Sequence, residues 1–96
     1  MTAASGSSVS RRVTILNGRG LHARAAAKFV KLAGTFDAEI VVSRNDIEVS
    51  GSSIMGLMML GAAPGCELEL RASGRGAAAA LKALSELIAN RFDEEV

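Results

Sequence analysis

Hydrophobic positions along this chain switch between a period of two and a helical period, and the switches mark out seven elements. Arg11 to Leu16 alternates as RRVTIL, which puts Val13 and Ile15 on one face of a strand. Asn17, Gly18, Arg19 and Gly20 interrupt it as a loop. From Ala23 to Ala33 the period is helical, with Ala26, Phe29, Val30 and Ala33 on one stripe and Arg24, Lys28 and Lys31 on another. Gly34 is placed to stop that helix. Ala38 to Ser43 and Ile47 to Ser50 are β-branched runs joined by Arg44, Asn45 and Asp46, which predicts a hairpin. Ser52 or Ser53 offers a cap for a short apolar helix reaching Leu60, and Gly61 to Gly65, with Pro64, makes the next loop. Cys66 to Ala72 alternates again, with Cys66, Leu68 and Leu70 facing a core and Glu67, Glu69 and Arg71 facing water. The last helix is predicted over Ala77 to Phe92, on the spacing of Ala77, Ala80, Leu81, Leu84, Leu87 and Ile88. Asp93, Glu94 and Glu95 follow it as an expected solvated acidic end.

The order βαββαβα mixes hairpin and crossover connections, which predicts an α+β fold whose sheet carries helices on one face and solvent on the other. Ninety-six residues suffice for one domain. That domain is expected over residues 11 to 96, because Met1 to Ser10 is rich in Ser, Ala and Gly, lacks a hydrophobic period and reads as a disordered tail. Hydrophobic residues at 49% and charged residues at 22% are ordinary for a globular domain. One cysteine, Cys66, makes no internal disulfide, and with a single histidine it is too little for a structural zinc site. A reducing cytoplasm is therefore the expected compartment, and Cys66 reads as a small buried hydrophobe. Membrane insertion is not expected, since no apolar run reaches the roughly 18 residues needed to cross a bilayer.

Charge changes the picture more than composition does. Residues 1 to 36 hold six bases and no acid, whereas residues 37 to 96 hold five bases and ten acids. A basic first third suits nucleic acid, phosphate or an acidic protein surface. A small nucleic-acid-binding α+β module is thus the alternative from another class. It lacks the expected stacking platform, having no Trp or Tyr and three phenylalanines outside the predicted strands. A metal-transfer domain would need a CxxC pair that is absent. Glu67 and Glu69 have no partner that marks an acid/base pair, and Gly18 and Gly20 lack the lysine and hydroxyl of a nucleotide phosphate loop.

The residue best placed for chemistry is His22, the only histidine, at the boundary between the glycine-containing loop and the first helical turn. Unsatisfied N–H groups and the positive end of the helix dipole make such a boundary an anion site. Arg24 adds a permanent cation with donors for phosphoryl oxygens. Both disfavour an imidazolium, so a neutral ring with a nucleophilic nitrogen is expected, able to accept a phosphoryl group. The competing reading makes His22 only a helix cap.

Gly20, Leu21, His22, Ala23 and Arg24, followed by Ala26, Ala27, Lys28, Phe29 and Val30, resemble the active-site segment of the HPr family of bacterial histidine-containing phosphocarriers. Ser52 to Leu60, SSIMGLMML, resembles that family's regulatory-serine segment, and the likeness spans roughly residues 11 to 92. The resemblance implies an open-faced β-sandwich, a four-stranded antiparallel sheet under three helices. It also implies a carrier rather than an enzyme, without a cofactor: His22 takes phosphate on Nδ1 from phosphorylated enzyme I and passes it to a IIA-type protein. Arg24 matches the arginine that contacts the phosphoryl group, while Ala25 stands where the family usually has proline. Ser53 matches the serine modified by an HPr kinase/phosphorylase. Ile54, Met55 and Met58, beside Lys28 and Lys31, match the docking patch of what is expected to be a monomer. Sugar uptake and a regulatory nitrogen and carbon relay both remain open.

Overall fold

The computed structural model describes residues 8–94, and the elements occur in the predicted order. They are β1 (Val9–Thr14), α1 (Ala23–Ala33), β2 (Glu39–Arg44), β3 (Ile47–Ser50), α2 (Ile54–Met59), β4 (Glu67–Ser73) and α3 (Ala77–Ala89). The strands form one antiparallel sheet in the order β1-β4-β2-β3. Val13 pairs with Leu68 and Val42 lies between Leu70 and Val49, so the inward positions of all four strands fall into line. Helix α3 covers β1 and β4, and α1 lies against both α3 and α2. Ile15, Phe29, Val42, Leu57, Leu70, Leu84, Ile88 and Phe92 are buried at the centre of the layer between sheet and helices. The architecture is the expected open-faced α+β sandwich. Among the described residues no helix is long and apolar enough to cross a membrane.

Boundaries moved where tertiary pairing outweighed local pattern. Strand β1 starts at Val9, because Val9 and Ser10 pair with Ala72 and Arg71 of β4. The expected tail therefore loses its last two residues to the sheet, while residues 1 to 7 lie outside the described part. Backbone pairing along an edge needs no hydrophobic period, which is why an exposed stretch reads as tail in the sequence. Arg44 belongs to β2, opposite Ile47, and leaves a tight turn at Asn45, whose φ of 56° is left-handed.

The largest departure is at the C-terminal end. Helix α3 stops at Ala89 instead of continuing to Phe92. Arg91, Phe92 and Asp93 then take φ values of 58°, 54° and 64°, a left-handed turn made without glycine. Asp93 N–H donates to the Asn90 carbonyl and Glu94 N–H to the Arg91 carbonyl. The turn reverses the chain so that Phe92 is fully buried, and Lys28 Nζ donates to the Phe92 carbonyl at 2.7 Å. Hydrophobic burial of the ring opposes the cost of the left-handed backbone.

Candidate functional site

The loop between β1 and α1 is fixed by backbone contacts before any side chain acts. Gly20 has φ +69°, its N–H donates to the Asn17 carbonyl, and the Leu21 N–H donates to the Ala62 carbonyl at 2.9 Å. A Cβ at Gly20 would stand 2.6 Å from Ala62 O, so only glycine permits this approach. The loop therefore delivers His22 to the start of α1 from a set direction.

His22 occupies the N-cap position in an extended conformation, and its carbonyl accepts from Ala26 N–H at 2.8 Å. Its ring makes no capping hydrogen bond. Instead Nε2 pairs with Glu94 Oε2, the carboxylate brought round by the left-handed turn. The other Glu94 oxygen accepts from Asn17 Nδ2 at 3.0 Å, and the same amide donates to the Gly20 carbonyl at 2.7 Å. Asn17 is fully buried, and its Oδ1 has no partner among the described residues. Burial alone would raise the Glu94 carboxyl. Hydrogen bonds from His22 and Asn17, with the positive charges of His22 and Arg19, outweigh it and hold the group below its ordinary value. The expected solvated acidic end is thus corrected at Glu94, whose side chain is only 14% exposed against a 22% exposed His22.

In the neutral ring, a carboxylate at Nε2 selects the tautomer with the proton on Nε2 and the lone pair on Nδ1. Arg24 lies exposed in the first turn of α1, next to a buried Ala25. The first turn of that helix leaves its N–H groups without intrahelical partners, and it holds no acidic residue. The arrangement can supply one nucleophilic ring nitrogen beside donors suited to an anion.

Lys28 and Lys31 separate in role. Lys31 is exposed, but the Lys28 ammonium is taken up by the Phe92 carbonyl, so the basic stripe read from the sequence is not a uniform solvent-facing row. Ser53, not Ser52, caps α2, its hydroxyl accepting from Gly56 N–H at 2.9 Å. Of the helix it caps, only Leu57 is buried, which leaves Ile54, Met55 and Met58 exposed as a patch beside α1. Met59 at 73% exposure and Ile47 and Leu16, each about half exposed, add to the exposed apolar surface and were not singled out by the sequence pattern. Glu94 and Asn17 were also missed, the first as a terminal charge and the second as loop chemistry. A fully buried asparagine is a signal, but burial cannot be read from an NGRG loop.

Comparison with known proteins gives a concordant picture. A family model described as the PTS HPr component phosphorylation site matches residues 9–90. The chain is 53% identical over 83 residues to the phosphocarrier protein HPr of Pseudomonas aeruginosa, covering 85% of this chain and 92% of that protein. It is 46% identical over 86 residues to HPr of Neisseria meningitidis serogroup A, covering 90% of this chain and 97% of the other. The crystal structure of HPr-C-His from Thermoanaerobacter tengcongensis superposes with a TM-score of 0.87 at 41% identity, covering 92% of this chain and 99% of that one.

Proposed function

We propose that His22 Nδ1 carries the phosphoryl group, starting from the fact that this chain belongs to the HPr family, the phosphocarriers of the phosphotransferase system. Members of that family are phosphotransfer intermediates rather than catalysts, and sugar transport and phosphohistidine chemistry follow from membership. The finer assignment rests on one observation: Glu94 engages Nε2 and leaves Nδ1 as the open ring nitrogen at the start of α1.

Phosphorylated enzyme I is the donor and a IIA-type protein the acceptor. As Nδ1 closes on phosphorus, the unpaired N–H groups of the first α1 turn and the Arg24 guanidinium stabilise the equatorial oxygens. Alanine at position 25 retains an N–H that proline would lack, so the departure from the family pattern adds a donor to this end of the helix. Ile54, Met55 and Met58 of α2, with the exposed Lys31 of the adjoining helix α1, form the face that meets successive partners, and a carrier offering one histidine in turn works as a monomer.

Ser53 is the regulatory position in this reading. Its hydroxyl caps α2, so a phosphate added by an HPr kinase/phosphorylase sits at a helix start where negative charge is tolerated. The same charge lies beside Ile54 and Met55, where it opposes docking of an acidic partner surface.

Incubation with phosphoenolpyruvate and cognate enzyme I should add one acid-labile phosphate, and His22→Ala should abolish it. Equal labelling of the His22→Ala protein overturns the assignment.

A further inference from the structure

We propose that Glu94 is a positioning residue for phosphoryl transfer, held on the Nε2 side of His22 by the left-handed turn at Arg91–Asp93 and oriented there by the buried Asn17 amide. The inference rests on His22 as acceptor and adds a group that neither motif of the sequence contains.

The reaction leaves a charge that needs an answer. When Nδ1 gives its lone pair to phosphorus, the bond from phosphorus to the donor atom breaks and that electron pair leaves with the donor. Nε2 keeps its proton, so the phosphorylated ring is an imidazolium. Its positive charge develops opposite Nδ1, where Glu94 Oε2 already stands. On discharge the Nδ1–phosphorus bond breaks, its electrons return to the ring, and the proton stays at Nε2. Glu94 thus fixes the tautomer before transfer and meets the ring charge after it, without touching the phosphoryl group.

Three independent features hold the carboxylate in place. Consecutive left-handed residues without glycine are disfavoured and persist only where surroundings over-determine them. Here the surroundings are a fully buried Phe92, the Lys28 ammonium on the Phe92 carbonyl, and the Asn17 amide on Glu94 Oε1. Asn17 in turn is tied to Gly20, so the same amide spans the loop that delivers His22 and the turn that delivers Glu94. Lys28, read from the sequence as a docking charge, gains a second role in anchoring this turn.

Because His22 is the only histidine, its ring nitrogens can be read without ambiguity in the full-length, uniformly nitrogen-15-labelled protein. Unmodified protein should show a downfield Nε2–H proton with slowed solvent exchange, and Glu94→Ala should lose it. Glu94→Gln keeps an acceptor oxygen and should keep that proton. Both variants should accept phosphate from enzyme I about 10-fold more slowly, the low end of the loss seen when the carboxylate that orients a metal-ligating histidine is removed. Backbone amide spectra unchanged away from residues 17–22 and 90–94 establish that the fold is intact. A Nε2–H signal that survives in Glu94→Ala overturns the contact, and an unaltered transfer rate in both variants overturns the positioning role. Failure of His22 itself as acceptor would show separately, as labelling of His22→Ala, and would leave the nitrogen-15 result standing.

Discussion

The side-chain amide of Asn17 lies 3.0 Å from Glu94 Oε1, across 77 positions of sequence. Its nitrogen faces two oxygens, the Glu94 carboxylate and the Gly20 carbonyl at 2.7 Å, so the amide orientation is dictated by its neighbours. A donor at this one atom therefore joins the loop before His22 to the turn behind it.

Asn17→Asp replaces that donor with an oxygen at nearly constant shape. Two hydrogen bonds are lost and a buried like charge meets Glu94, so the fold should lose about 3 kcal/mol. Urea unfolding would measure it, and phosphoryl acceptance should fall in parallel. A loss no larger than that of an exposed substitution would show that Glu94 is not held by Asn17.

The Glu94 carboxyl also makes a pH prediction. Burial acts to raise it, yet hydrogen bonds from His22 and Asn17 and the charges of His22 and Arg19 prevail and keep it below its ordinary value of 4.5. A depressed folded value means that the unfolded chain takes up this proton more readily. The contribution is then complete above the unfolded value and is lost as pH falls through the folded one. The gap in unfolding midpoint between the unmodified protein and Glu94→Gln should hold steady from neutral pH to about pH 5 and shrink on further acidification. A gap that does not depend on pH would contradict the ionised pairing.

Two glycines with positive φ should respond differently to alanine. At Gly20 the new Cβ would meet Ala62 O at 2.6 Å and Ala63 Cα at 3.2 Å, both backbone atoms that cannot swing aside. Gly20→Ala should cost about 3 kcal/mol and displace His22, slowing transfer. Gly65, at φ +90°, has no atom within 4 Å of an added Cβ, so Gly65→Ala should cost only about 1 kcal/mol of backbone strain. Equal losses in thermal denaturation would refute the contact with Ala62.

The lysines of α1 should separate stability from association. Lys28→Ala removes a charged donor from the Phe92 carbonyl and should destabilise by about 2 kcal/mol. Lys31→Ala, at an exposed site, should change stability by less than about 0.5 kcal/mol while lowering the salt-sensitive on-rate with enzyme I. Met55→Ala, at 74% exposure, should likewise spare the fold and weaken enzyme I binding by about 10-fold. Stopped-flow association at two ionic strengths and thermal melts distinguish these outcomes.

The order of elements, the placement of His22 at a helix start, a serine cap at 52 or 53 and the methionine-bearing α2 were all legible in the sequence. Each is set by interactions between residues within a turn or two of each other, and such interactions leave a period or a cap signal in the chain. Tertiary structure alone decided the rest. Val9 and Ser10 became strand because β4 offered free backbone partners. Phe92 left the line of α3 because a buried ring outweighed a left-handed turn that no glycine announces. Glu94 met His22 from 72 residues away, and no local pattern distinguishes that carboxylate from the acids beside it. What separates them is the path of the backbone after Ala89, which is fixed only once the core has somewhere to put Phe92.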